Sequence, residues 1–217
     1  MQTKLDGPRL GAQPGPARHL VVICHGVGAS GDDLIGLAHA WAPVLPAVAF
    51  AAPDAPFAYD AAPTGRQWWS LADRAPAKME AGVRAAAPYL DAFIAAELER
   101  LGLPPDAYAL AGFSQGAMTV LFTGPRRLPP PRAILAYAGA LIAPDTLAAE
   151  ARNHAPVLIV HGEADDVVPP ARSHEAEARL REAGFPVEAH YIPDLDHSLD
   201  PTAVTLGAAF LRAALGG

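Results

Sequence analysis

The stretch that most restricts what this chain can fold into is Tyr108-Ala109-Leu110-Ala111-Gly112-Phe113-Ser114-Gln115-Gly116-Ala117-Met118-Thr119-Val120. It opens as an apolar run suited to a strand and continues as small residues suited to a helix start. Between the two lies Gly112-Phe113-Ser114-Gln115-Gly116, a G-x-S-x-G pattern. A serine on so tight a strand-to-helix turn has its hydroxyl pushed clear of the backbone. The turn crowds neighbouring side chains, and glycines two before and two after the serine relieve that crowding. The N–H groups at the helix start then point to where an anion can be held. The pattern is short and can arise by chance in a chain with 19 glycines. The strand and helix signals on either side give it its meaning.

A chain of 217 residues is most simply read as one domain, 1–217. With 51% hydrophobic and 18% charged residues it can bury a large core. A net charge of −7 argues against a nucleic-acid or anionic-membrane surface. No apolar run reaches the length of a membrane span, and Met1 to Pro8 has no apolar segment of signal-peptide type. The single cysteine, Cys24, excludes an intramolecular disulfide, and no spacing suggests a metal cluster. These features fit a soluble cytoplasmic protein that needs neither cofactor nor metal.

Residues 1–18, with Pro8, Pro14 and Pro16, read as an edge hairpin or extended arm. His19 to Cys24 is a continuous apolar run, as expected of a strand buried on both faces of a parallel sheet. A glycine-rich loop from His25 to Asp33 follows, then a helix through about Trp41 that Ser30 or Asp32 would cap. A strand is expected over 44–51. Residues 53–76 are irregular, with Trp68 and Trp69 inside; a loop of that length in a compact domain is usually functional or disordered, and paired tryptophans argue against disorder. Helical spacing runs over 76–101, with Pro88 implying a kink or two helices. After the strand and helix around Ser114, residues 123–131 read as a turn, 132–137 as a strand and 145–151 as a short helix. Then come a strand at 156–160, a helix at 170–183 closed by Gly184, an alternating edge strand at 187–192 and a final helix over 201–215. Alternating strands and helices imply a mainly parallel sheet with helices on both faces.

Functional groups of open parallel sheets gather at the carboxyl ends of the strands. Four loops follow expected strands, at His25, Ser114, Asp165 and His197. Ser, Asp and His in that chain order match the order of an α/β-hydrolase. A serine hydroxyl is a weak nucleophile; an imidazole must take its proton, and a carboxylate must orient the imidazole. The oxyanion that forms needs two backbone N–H donors, one from the residue after the nucleophile, Gln115, and one from an early loop, for which Val27 is the natural candidate.

These residues resemble the phospholipase/carboxylesterase family, which includes acyl-protein thioesterases and small bacterial carboxylesterases. The matching segments are His25 to Asp33, Gln67-Trp68-Trp69, Gly112 to Gly116, His161 to Asp165 with Val168-Pro169, and His197. They span most of the chain. The resemblance implies an α/β-hydrolase fold with little or no lid, acting on small-molecule esters or thioesters. It implies Ser114, Asp165 and His197 as catalytic residues, the N–H groups of Val27 and Gln115 as the oxyanion hole, and Trp69 and Val168 as substrate contacts. The chain departs from the family at Cys24, where an aliphatic residue is usual, and at Ala117, where many members carry another glycine; the methyl there narrows the space beneath the turn.

Other readings compete at several positions. His25 and His161 are expected to be structural, hydrogen-bonding their loops, and His19, His39, His154, His174 and His190 to lie on the surface. Cys24 has an alternative as a nucleophile, but it lies inside an apolar strand without flanking glycines, which favours a core role. Trp68 and Trp69 either pack the long loop onto the core or touch substrate. Asp166, Asp194 and Asp196 compete with Asp165. The expected activity is that of a serine carboxylesterase on short- to medium-chain esters. The alternatives are an acyl-protein thioesterase or lysophospholipase and, from another class, a catalytically silent binding protein. A homodimer is left open.

Overall fold

The structure, a computed structural model, describes residues 4–216. Residues 1–3 of the expected N-terminal arm, and Gly217, lie outside the described residues. The strands are β1 (Arg9–Leu10), β2 (His19–Cys24), β3 (Val48–Ala51), β4 (Phe57–Ala58), β5 (Arg66–Gln67), β6 (Tyr108–Phe113), β7 (Ile134–Tyr137), β8 (Val157–Gly162) and β9 (Val187–Ile192). The helices are α1 (Gly31–Leu34), α2 (Gly36–Trp41), α3 (Pro76–Leu101), α4 (Gln115–Arg126), α5 (Leu147–Glu150), α6 (Ala171–Glu182) and α7 (Pro201–Leu215).

Seven strands form one sheet in the order β1-β3-β2-β6-β7-β8-β9. All neighbours run parallel except β1, which pairs antiparallel with β3 at the edge. Successive side chains of a strand point to opposite faces, so a strand covered on both sides must be apolar at every position. On one face Leu20, Val22, Leu110, Ile134, Val157 and Ile159 pack with Leu90, Ile94, Val120, Leu121 and Leu180 from α3, α4 and α6. On the other, Val21, Ile23, Phe50, Ala109, Leu135 and Leu158 pack with Leu37, Trp41, Leu211 and Leu215 from α2 and α7. The Trp41 indole N–H donates to the Val204 carbonyl at 2.9 Å and ties α2 to α7. Cys24 is buried and burial pushes its thiol pKa up, which fits the core role. Among the described residues, no helix is long and apolar enough to cross a membrane.

The chain leaves β2 toward β3 on one side and returns to β6 on the other. The carboxyl ends of β2 and β6 therefore flank the point where the winding reverses, and a crevice opens there. The loop after β2 and the turn after β6 both reach into it.

Several boundaries differ from those the sequence implies. The expected helix through Trp41 is two pieces that break at Ile35. Ser30 caps the first, with Asp33 returning a bond to the Ser30 N–H, so the cap is Ser30 rather than Asp32. β3 begins only at Val48, after Pro46. α3 runs unbroken through Pro88. α4 continues through Pro125 to Arg126, whose guanidinium donates to the Phe122 carbonyl at 2.9 Å, so the expected turn at 123–131 begins later.

Candidate active site

Ser114 sits between β6 and α4 with φ 54° and ψ −117°. That conformation is costly for a side chain with a Cβ, about 1–3 kcal/mol, and persists only where surroundings enforce it. Here the Ser114 N–H donates to the Tyr137 carbonyl at 2.9 Å, and the Met118 N–H to the Ser114 carbonyl at 3.1 Å. A Cβ on Gly112 would collide with the Gly116 backbone, and one on Gly116 with the Cys24 carbonyl at the end of β2. The two glycines are thus required by close approach. The Ala117 methyl finds its room because Gly139 stands opposite, where a Cβ would collide with it.

The loop after β2 passes beside this turn: a Cβ on Gly26 would stand 3.3 Å from the Ser114 Cβ. The Gly28 N–H is taken by the Arg66 carbonyl at 2.8 Å. Among the described residues, the Val27 and Gln115 N–H groups donate to no protein acceptor. His25 holds this loop in place. Its Nδ1 donates to the Gly26 carbonyl at 2.7 Å, and its Nε2 accepts from the Ala55 N–H at 2.9 Å. Burial lowers its pKa, which keeps the ring neutral for these two bonds. The structural reading of His25 holds.

The loops after β8 and β9 bring Asp165 and His197 together. Gly162 lets the second loop cross over the end of β8, since a Cβ there would strike the Leu195 carbonyl. The Ala164 N–H bonds the Leu195 carbonyl at 3.0 Å. His197 Nδ1 lies 2.6 Å from Asp165 Oδ2 and donates to it. That bond fixes the tautomer and leaves Nε2 as an acceptor. Asp165 Oδ1 accepts from the Val167 and Val168 N–H groups at 2.9 and 2.8 Å. Burial alone would raise the Asp165 pKa, but the His197 bond and the two backbone donors outweigh it and hold the carboxyl below its ordinary value. Asp166, Asp194 and Asp196 are exposed, and the Asp196 carboxylate is engaged by the Ser198 hydroxyl. Only Asp165 of the four faces the imidazole.

Two cavities meet at Ser114. One, of about 390 Å³, is lined by Leu71, Met79, Met118, Leu141 and Ile142, among others, with Arg74, Glu80, Asp145 and Arg172 also reaching it. The other, of about 430 Å³, is lined by Phe113, His197, Leu34 and Leu199 among others. Val27, Ser114 and Val167 line both. Val168 lines the first. Trp69 is 4% exposed and presses on α3, where a Cβ on Gly82 would strike its ring; the cavity wall is reached instead by Leu71.

Three contributors are not apparent from the sequence. The Gln115 carboxamide accepts from the Trp68 N–H at 2.9 Å and donates to the Trp69 carbonyl at 2.8 Å, stapling the 53–76 loop to the start of α4. The segment after β7, residues 140–146, forms a wall of the first cavity. The rule that sites gather at strand ends points to that loop, although it carries no nucleophile or base to draw notice. The third is the reach of His161 beyond its loop backbone, to the Asp165 carboxylate and to Ser173 on α6. Among the described residues no group of three or more His, Cys, Asp or Glu side chains is placed to hold a metal ion.

Known proteins share this fold. Esterase PE8, a solved structure, superposes with a TM-score of 0.94 at 40% identity, covering 98% of this chain and all of that one. Esterase YpfH of Escherichia coli is 28% identical over 203 residues, 91% of this chain and 83% of that protein. Acyl-protein thioesterase 1 of Emericella nidulans is 24% identical over 209 residues, 85% of each. A sequence model described as phospholipase/carboxylesterase matches residues 6–215. On the fold, these relatives and that match over nearly its whole length, the chain belongs to the phospholipase/carboxylesterase family of α/β-hydrolases.

Proposed function

We propose that the protein is a serine carboxylesterase that cleaves short- to medium-chain esters through an acyl-enzyme on Ser114. The observation that carries this reading is the strained Ser114 opening onto a cavity shared with His197, whose far nitrogen is held by Asp165. His197 Nε2 takes the Ser114 proton as Oγ attacks the ester carbonyl carbon. The carbonyl oxygen becomes an oxyanion held by the Val27 and Gln115 N–H groups. The carbonyl re-forms, the C–O bond to the alcohol breaks, and His197 returns its proton to the leaving alkoxide. A water, deprotonated by His197, then attacks the acyl carbon; Ser114 Oγ leaves, recovers the proton, and the acid is released.

The apolar wall from Leu71, Met79, Met118, Leu141 and Ile142 supports seating of the acyl chain in the first cavity. The leaving group then lies toward the second, beside His197, where its proton is delivered. A thioester differs from an ester only in that leaving group, and several curated relatives are named acyl-protein thioesterases. A fluorophosphonate should label Ser114 and stop turnover. A panel of p-nitrophenyl esters of rising chain length, with matched thioesters, should show highest kcat/KM at short to medium chains. Failure of the reagent to label Ser114 would make the protein a silent binder.

Asp165→Asn should cost at least about a hundredfold in kcat, because the amide stabilises the wrong imidazole tautomer. Asp166→Asn should cost less than about tenfold, since that exposed side chain faces water. Kinetics of the two purified variants check the pair, and the reverse ranking would move the acid to Asp166.

A further inference from the structure

One buried polar group touches the site and takes no part in the steps above. His161, in β8, is 1% exposed. Its Nε2 lies 2.8 Å from the Val168 carbonyl and 3.0 Å from Asp165 Oδ2, the same oxygen that binds His197. Its Nδ1 lies 2.6 Å from the hydroxyl of Ser173 on α6, itself 2% exposed. Burial lowers the His161 pKa by more than the Val168 carbonyl and the Asp165 carboxylate raise it, so the ring is neutral and carries one proton. Two obligate acceptors face Nε2, which places that proton there. Nδ1 is then the acceptor. The Ser173 hydroxyl has one proton and two acceptors in reach, Nδ1 at 2.6 Å and the Gly139 carbonyl at 3.2 Å. It donates along the shorter contact.

Asp165 therefore receives four N–H donors: Val167 and Val168 on Oδ1, His197 and His161 on Oδ2. We propose that His161 is a positioning residue that acts through Asp165, holding the carboxylate plane toward His197 and drawing off part of the charge on Oδ2. The inference rests on the Ser114–His197–Asp165 reading given above. An oxygen shared between two donors attracts each less than it would attract one alone. With His161 present, Asp165 orients the base without over-stabilising its protonated form. Without that donor, the carboxylate pulls harder on the imidazolium. The charges that act on His161 are those of Asp165 and His197; from α6 it is faced by the uncharged Ser173, and His197 packs against the Phe113 ring at 4.8 Å.

The test uses the full chain and a soluble p-nitrophenyl ester. His161→Phe keeps a ring and removes the donor; His161→Gln keeps an N–H donor; Ser173→Ala removes the hydroxyl that donates to Nδ1 and steadies the ring. For His161→Phe, kcat should fall about tenfold, with KM changed by less than about twofold. The midpoint of the acid limb of kcat against pH should rise by about half a unit. His161→Gln should restore most of both quantities, and Ser173→Ala should move the midpoint in the same direction by less. A purely structural histidine would lower the unfolding temperature and leave the midpoint where it was, and that result overturns the proposal. Should His161→Phe not fold, nitrogen-15 spectra of the wild type decide. His161 is expected neutral and protonated on Nε2 at neutral pH; a proton on Nδ1, or a charged ring at that pH, overturns it. Ser114→Ala, assayed alongside, separates the two levels. If that variant is active the catalytic reading fails, whereas an inactive Ser114→Ala with an unmoved His161→Phe profile removes only the role of His161.

Discussion

Ser114→Ala should remove ester hydrolysis almost completely and leave the fold in place. The substitution deletes only Oγ, the atom that forms the acyl bond. In a serine protease with the same catalytic logic, losing the nucleophile costs on the order of a millionfold in kcat. The backbone bonds that hold the turn, from the Ser114 N–H to Tyr137 and from the Met118 N–H to the Ser114 carbonyl, do not involve the side chain. Alanine keeps the Cβ and so keeps the unfavourable φ of 54°; the unfolding temperature should hardly move. Assays of the purified variant, with circular dichroism as the control for folding, check both halves. A variant retaining a tenth of wild-type activity would remove Ser114 from the nucleophile's place.

His197→Ala should be nearly as damaging, because the serine proton then has no acceptor. Its ring is half-buried in a loop and packs on Phe113, so the loss to stability should be modest. In the wild type, kcat/KM should rise with pH through a single ionisation, since only a neutral imidazole accepts the proton. The sign follows from the bond at Nδ1: Asp165 remains ionised throughout, its pKa being depressed, and the limb reports the base rather than the acid. A flat profile from pH 5 to 9 would exclude a histidine base.

Much of this architecture is readable from local pattern. The apolar run at 19–24 and the alternating one at 187–192 became strands with the expected limits, and the run before Ser114 became a third, because burial on both faces, or alternation at an edge, leaves a direct trace in sequence. The glycines around Ser114 mark a collision that any folded version must avoid. What escaped was settled by distant partners. β8 extends through His161 and Gly162, which look like loop residues, because the Tyr191 and Ile192 backbone of β9 continues the ladder beside them. α4 runs through Pro125 because Arg126 secures the last turn. Gln115 reads as a backbone donor only, and its side-chain grip on residues 68 and 69 depends on a fold that brings positions 47 apart into contact. Trp69 carries no mark telling core from cavity; Gly82 decides it.

The strand order has a bearing on how such a molecule comes to be made. The groups at the crevice come from the ends of β2, β6, β8 and β9, in that order along the chain. A polypeptide growing from its amino terminus exposes the Val27 donor first, then Ser114, then Asp165, and His197 last of the four. On the proposed assignment, each intermediate length holds a hydroxyl without a base. Activity then switches on only when the loop carrying His197 docks over Gly162 and α7 covers the second face of the sheet. A nascent chain that has not yet reached His197 is, for that reason, chemically harmless to the esters around it.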